Sequence, residues 1–372
     1  MFSHRLKWDA QANPLSGLCA QKRCAGVKIL DLTESNPTNA GIPYPSNLLE
    51  PLADFKALRY EPDPKGTLAA RRAVADYYAS RKIDVSADRV LLTASTSEAY
   101  SYLFKLLADP GDEVLVPRPS YPLFEFLAAL ESVAVRQYPL RYDGAWHIDF
   151  AALESMITAR TRALAVVNPN NPTGSFLKQD ELDRLETICA ERGIAILSDE
   201  VFSDYGHSHD PRRVLTLAGE RKALTFSMSG LSKIAGLPQL KLGWIVVSGP
   251  HSQEAYERLE WIADTFLSVG TPVQAALPSL LHLHEGIRTR ISENLPLIRE
   301  HALHMEGGWY AVMQVPRTRS EEDWALTLLA DHDVLVQPGF FYDFESEAYL
   351  VLSLLTEPTT FREGTRRILE IL

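Results

Sequence analysis

The 372-residue sequence holds only three cysteines, Cys19, Cys24 and Cys189. So sparse and odd a set cannot build a disulfide framework, and a reducing, cytoplasmic setting is the simpler expectation. Cys19 and Cys24 have no second ligand pair beside them and read as two thiols, not as a metal site. Positive charge is also short: 37 Lys and Arg against 48 Asp and Glu leave a formal net charge of −11. That balance argues against nucleic acid or an anionic membrane as the main partner and favours a small molecule. No apolar run approaches the roughly 18 residues needed to span a bilayer, and the first nine residues lack the apolar stretch of a secretory leader. No repeat or low-complexity tract is visible. What the sequence does have is 46% hydrophobic residues, enough for a large core divided between two or three packed domains.

From about Ser86 onward, short β-rich runs alternate with longer amphipathic stretches. The runs are Val90 to Thr93, Glu113 to Val116, Val133 to Tyr138, Ala163 to Val167, Ile194 to Leu197, Ala223 to Phe226 and Leu242 to Val247. Several are apolar without alternation, as parallel strands covered on both faces must be. The fold class is therefore α/β, with a mostly parallel sheet of about seven strands. Beyond Ser279 the pattern changes: helical spacing around His282 to His304 is followed by strand-like runs at Tyr310 to Val315 and Tyr349 to Leu354. The expected organisation is a large domain over 47–278 and a smaller α+β domain over 279–372 joined by the N-terminal segment 1–46.

In an open α/β sheet the ligand lies beyond the carboxyl ends of the strands. Four of these ends are unusually polar. Ala94-Ser-Thr-Ser-Glu98 has capping-box spacing and opens a helix whose free N–H groups can hold a phosphate. Asn168-Pro-Asn-Asn-Pro-Thr-Gly174 is a dense turn whose Asn side chains can also donate to a ligand. Asp199 and Glu200 stand at the third end, and Ser227 to Pro238 forms a small-residue loop with one lysine, Lys233. Singly, each has a plain reading: an N-cap, a turn, a capping acid, a solvated lysine. Together they match pyridoxal 5'-phosphate, which needs an amine for its aldehyde, a carboxylate for its ring nitrogen, a donor for its ring hydroxyl and a nest for its phosphate.

The ordered set Asn171-Pro-Thr-Gly174, Asp199-Glu200, Ser229-Gly-Leu-Ser-Lys233 and Leu240-Lys-Leu-Gly243 closely resembles the class I/II aminotransferases, the fold type I pyridoxal-phosphate enzymes, from about Ile29 to the C-terminus. The resemblance implies that Lys233 carries the cofactor as a Schiff base and later moves the substrate proton. Asp199 would pair with the pyridinium nitrogen, Asn171 would bond the ring 3-oxygen, and Tyr121 would stack on the ring. Thr96, Ser97, Ser232 and Lys241 would hold the phosphate, with Ser229 an equally reasonable hydroxyl. Tyr60 is similar to the family's tyrosine that reaches the neighbouring subunit's phosphate, which implies a homodimer with shared sites. The implied reaction passes nitrogen from an amino donor to a 2-oxo acid by way of pyridoxamine phosphate.

Three positions depart from that pattern. Phe202 stands where many members have a tyrosine sharing the ring oxygen, and Lys241 stands where arginine is commoner, keeping charge but losing the bidentate fork. Val351 occupies the slot of the arginine that clamps the substrate carboxylate, which an apolar side chain cannot replace. Arg317, Arg319 and Arg362 lie near it in sequence, and the aromatic loop Gln337 to Phe344 resembles the segment facing the substrate, implying a bulky or apolar substrate group. Two other readings stay open: a decarboxylase or β-lyase on the same cofactor, and a cofactor-binding regulator, for which the segment before Ile29 is too short to carry a DNA-binding module.

Overall fold

Eight segments rich in Val, Ile, Leu and Ala hydrogen-bond into one sheet in the computed structural model, which describes residues 2–6 and 13–372. They are β1 (Val90–Thr93), β2 (Glu113–Arg118), β3 (Ala134–Tyr142), β4 (Trp146–Ile148), β5 (Thr161–Val167), β6 (Ala195–Asp199), β7 (Thr225–Gly230) and β8 (Gly243–Ser248). Their order across the sheet is β1-β8-β7-β6-β5-β2-β3-β4. Strands β3, β2, β5, β6 and β7 pair in parallel, whereas β8 runs antiparallel to both β7 and β1. Every residue of β1, β7 and β8 is buried, the pattern of strands covered by helices on both faces.

Seven of these strands overlap the apolar runs read from the sequence, although β7 shares only Thr225 and Phe226 with the run Ala223 to Phe226. The eighth, β4, is a three-residue edge strand folding back on β3 through a turn at Gly144, whose φ is +104°. So short a strand leaves little periodic signal. Strands β7 and β8 approach closely where two glycines face each other: a β-carbon on Gly230 would lie 2.8 Å from Gly243 Cα. This brings the loop after β7 and the residue before β8 to one edge.

The second body is built on β9 (Tyr310–Gln314) and β11 (Tyr349–Ser353), which pair antiparallel, with β10 (Gln337–Pro338) added beside β11. The helical pattern expected around His282 to His304 is the helix Glu285–Ile298. Leu30–Asp31 pairs in parallel with Val334–Leu335, and Leu30, Leu32, Ala40 and Ile42 share one core with Ile287, Ile298, Val351 and Phe361. Chain from the N-terminal segment thus completes the core of the C-terminal elements, because Leu32 packs against the helix Pro358–Ile371 at Gly364, where a β-carbon would sit 2.8 Å from its Cδ2.

Candidate active site

The carboxyl ends of β1, β5, β6 and β7 open on one cavity of about 320 Å³. Because β8 is antiparallel, its beginning lies at that same end, and Lys241 joins the wall. Thr96, Ser97, Tyr121, Asn171, Asp199, Ser232, Lys233 and Lys241, all chosen from the sequence, line this single space. Tyr60 does not; it is 77% exposed, on a separate groove with Asp63 and Ser268. Two larger grooves elsewhere, of about 920 and 1290 Å³, gather charged side chains but neither the buried lysine nor Asp199.

The turn after β5 divides its three asparagines by task. Asn168 donates to Val214 C=O (2.7 Å) and accepts from Leu177 N–H (2.9 Å). Asn170 donates to Pro119 C=O (3.0 Å) and to Thr173 Oγ1 (2.9 Å). Both hold the loop's shape by donating, whereas Asn171 lines the cavity; the Oδ1 atoms of Asn170 and Asn171 are both buried without a hydrogen-bond partner. A buried amide left unsatisfied is costly unless something binds there. Gly174 closes the turn at φ +71°, and a β-carbon there would lie 2.4 Å from Gly307 C=O.

The two carboxylates after β6 also separate. Glu200 accepts from Ser198 hydroxyl (2.8 Å), Thr216 hydroxyl (2.5 Å) and Leu217 N–H (2.7 Å), and is a buried anchor outside the cavity. Asp199 faces the cavity and accepts from Tyr100 hydroxyl and Val201 N–H, both at 3.3 Å. Burial pushes its carboxyl up to about 6, against the pull of Val201, Tyr100 and the Lys233 charge. Burial pulls the Lys233 amine below its ordinary value, opposed by the Asp199 charge. Its Nζ lies 5.1 Å from the Trp309 ring centre and 5.8 Å from that of Phe202. The turn carrying Lys233 is pinned by Tyr205, whose hydroxyl donates to the carbonyls of Lys233 (2.7 Å) and Ile234 (2.8 Å).

At the other end of the cavity, Ser95 caps the helix Thr96–Leu107 by accepting from Glu98 N–H (3.2 Å). Glu98 in turn accepts from Ala94 N–H (2.6 Å). The helix start therefore presents its remaining N–H groups beside Ser232 and Lys241, an arrangement that favours an anion. Ser229 is excluded from this set: it is buried within β7 and its hydroxyl donates to Glu200 C=O at 3.4 Å.

Phe202 lines the cavity, edge-on to Trp309 and Tyr310. Val351 lies in the core with Val312 and Gln337 as strand neighbours, and does not reach the cavity. Neither do Arg317, Arg319 and Arg362; Arg319 covers the Trp324 ring instead. The aromatic loop also stays outside. Phe344 packs on Trp146 and Tyr349, and Tyr342 C=O accepts from Ser120 N–H, so this loop braces the turn carrying Tyr121. From the C-terminal elements, Tyr310 of β9 does enter, with its hydroxyl hydrogen-bonded to Ser35; burial pushes it up to about 12 and keeps it neutral. Ser35 and Tyr310 lie 275 residues apart in the numbering, and no local pattern in the sequence joins them. Tyr100, in contrast, follows Thr96 by one helical turn, a spacing that places both on one face.

These side chains fit pyridoxal 5'-phosphate by their chemistry: a buried amine of lowered basicity, a carboxylate, an unsatisfied amide and an anion nest share one cavity. Comparison with known proteins agrees. The model of the family "Aminotransferase class I and II" matches residues 27–357. An alanine aminotransferase of Mycobacterium bovis is 29% identical over 366 residues, covering 95% of this chain and 81% of the relative. A nicotianamine aminotransferase of Oryza sativa is 32% identical over 222 residues, covering 58% of this chain but only 44% of the longer relative. Among solved structures, an alanine aminotransferase from Pyrococcus furiosus superposes with a TM-score of 0.88 at 24% identity, covering 100% of this chain and 99% of that one. Cavity, sheet and family match lead to the same conclusion, that the chain belongs to the class I and II aminotransferases, pyridoxal-phosphate-dependent enzymes of fold type I.

Proposed function

We propose that this cavity moves an amino group from an amino donor to a 2-oxo acid, with Lys233 handling the protons. The observation that carries the reading is the buried Lys233 and Asp199 lining the same cavity as Asn171. When bound, the cofactor supplies an electron-withdrawing ring that stabilises negative charge on the carbon bearing the amine. Asp199 would hold the proton on the ring nitrogen and Asn171 would donate to the ring oxygen. Tyr121 would lie against the ring face, while Thr96, Ser97, Ser232 and Lys241 would hold the phosphate.

Lys233 would hold the cofactor through its side-chain amine, and that amine would be free to act as a base once a donor is bound. Its Nζ would take the proton from the donor carbon and hold it for return. When bound, the cofactor would supply the two-electron acceptor for the donor carbon, and water would supply the oxygen of the carbonyl product. Only the neutral amine can accept that proton, and burial favours the neutral form.

A homodimer belongs to the same reading. Leu49, Phe55, Leu58 and Tyr60 on one segment, with Trp261, Phe266 and Leu267 on and just after the helix Ser252–Phe266, are all exposed large apolar side chains. Such a concentration suits a subunit interface, and Tyr60 would reach the partner's phosphate. The division into 1–46 with 279–372, and 47–278, and a cytoplasmic location are inferred alongside. Cys19, Cys24 and Cys189 are all free thiols, which suits a reducing compartment.

The test is a half-reaction. Purified yellow protein mixed with candidate donors should lose its visible absorbance as one equivalent of carbonyl product appears, and Lys233→Ala should do neither. A broad donor panel that yields no carbonyl product would refute the reading. Decarboxylation or β-elimination is the second reading, favoured by the lack of an arginine on the cavity wall among the described residues. Carbon dioxide, or pyruvate with ammonia, released without an acceptor would establish it instead.

A further inference from the structure

Lys233 sits on a single helical turn, Leu231–Ile234, which is too short to be rigid by itself. Its carbonyl and that of Ile234 share one donor, the hydroxyl of Tyr205, at 2.7 and 2.8 Å. Tyr205 is fully buried and does not line the cavity, so it is placed to touch neither cofactor nor donor.

The chain around Tyr205 holds it in turn. Its C=O accepts from Gly308 N–H (2.9 Å), and its ring stands edge-on to Trp309 with centres 5.3 Å apart. The preceding residue, Asp204, is a buried anchor: it is ion-paired with Arg81, accepts from Tyr77 hydroxyl (2.8 Å), and its C=O accepts from Arg288 (2.8 Å). The Trp309 ring that Tyr205 meets also lies 5.1 Å from Lys233 Nζ. One aromatic group thus meets both ends of the lysine, Tyr205 at its carbonyl and Trp309 with Phe202 at its amine.

On the function proposed above, on which this inference rests, Lys233 has two tasks. Holding the cofactor tolerates slack in the backbone, because a covalent bond sets its own distance. Taking a proton from the donor carbon does not, because the transfer falls steeply when the base is misplaced. We propose that Tyr205 is a positioning residue for that proton transfer, fixing the backbone of Lys233 so that Nζ meets the donor carbon. Without the hydroxyl the buried Ile234 carbonyl loses this donor, and the turn relaxes at the point from which Nζ is suspended. Tyr44 supplies the comparison: its hydroxyl donates to Gly236 C=O (2.5 Å) in the same loop, three residues past the lysine.

The experiment compares Tyr205→Phe, Tyr44→Phe and wild type as holoenzymes, with rates counted per borohydride-fixable cofactor. In single turnover Tyr205→Phe should convert saturating donor roughly ten- to a hundredfold more slowly, with half-saturation within about threefold of wild type. Deuterium on the amine-bearing carbon should slow this variant at least as strongly as it slows wild type. Tyr44→Phe should stay within about threefold of wild type in rate and half-saturation. In the apoproteins, amide hydrogen exchange across 231–237 should quicken by up to roughly tenfold in both variants, the worth of one hydrogen bond. The inference is overturned by an unchanged rate or unchanged exchange in Tyr205→Phe, by a smaller isotope effect accompanying its slower rate, or by equal slowing in Tyr44→Phe. Failure of Tyr205→Phe alone to form holoenzyme overturns it too, since the hydroxyl would then be a support of the fold. Each of these results leaves the aminotransferase reading standing, whereas a wild type that converts no donor removes both.

Discussion

Replacing Asp199 with asparagine tests the charge logic of the site with almost no change of shape. The protein's own interior lifts this carboxyl from 3.8 to about 6, chiefly by burial. Above pH 6 it is ionised and can hold a proton on the ring nitrogen. Below pH 6 it carries its own proton, which must leave before a protonated ring can be held. Cofactor affinity in the wild type should therefore fall by up to about tenfold for each pH unit below 6. Asparagine has no proton to expel and no charge to offer. Removing one member of a buried charge pair costs roughly 3–5 kcal/mol, so Asp199→Asn should slow the half-reaction by about a hundredfold to a few thousandfold at pH 7.5. Its affinity should lose the Asp199 contribution to the slope; what slope persists reports the phosphate, whose second ionisation lies near pH 6. Equilibrium titration of the apoprotein with cofactor from pH 5 to 8, with single-turnover kinetics, measures both. A variant within about fivefold of wild type, or with an unchanged pH slope, would refute the assignment.

Lys233→Ala should leave no covalent bond that borohydride can fix between protein and cofactor, read by intact mass; a fixed adduct would move the attachment to another residue. Gly174→Ala should lose at least about 2 kcal/mol, because its φ of +71° disfavours a side chain and its β-carbon would lie 2.4 Å from Gly307 C=O. A wild-type urea midpoint would show that this turn does not rest on Gly307. Tyr60→Phe should weaken cofactor retention by roughly tenfold, the worth of one hydrogen bond to a charged group, while sedimentation still reports a dimer. Unchanged retention would remove Tyr60 from the phosphate.

The strands and the residues just beyond them were legible because parallel strands must be apolar along their length, so the polar residues at their ends stand out. That contrast marked Asn171, Asp199 and Lys233 before any geometry was known. It marked Asn168, Asn170 and Glu200 equally, and only their hydrogen bonds reveal these as supports. Ser229 and Ser232 illustrate the same limit. Both are hydroxyls three residues apart, yet the pairing of β7 with β8 buries the first and the following turn exposes the second to the cavity. The aromatic loop Gln337 to Phe344 misled for a different reason: rings that brace a turn and rings that line a pocket have the same composition.

What stayed hidden shares one origin. Ser35, Trp309 and Tyr310 come from chain that crosses to the site from the other body, and no periodicity links them to the sheet. Their placement changes how Phe202 and Val351 should be understood. Read along the sequence, each is a lost function: a missing hydroxyl and a missing arginine. In the folded chain Phe202 and Trp309 flank the lysine with ring faces, which favour a nearby cation. They thus oppose part of the desolvation that lowers the basicity of Lys233. Val351, fully buried between Val312 and Gln337, could not present a charge to the cavity without opening the core of the C-terminal elements. The two departures therefore differ in kind: Phe202 lines the cavity with an apolar ring, whereas Val351 belongs to the core of the C-terminal elements.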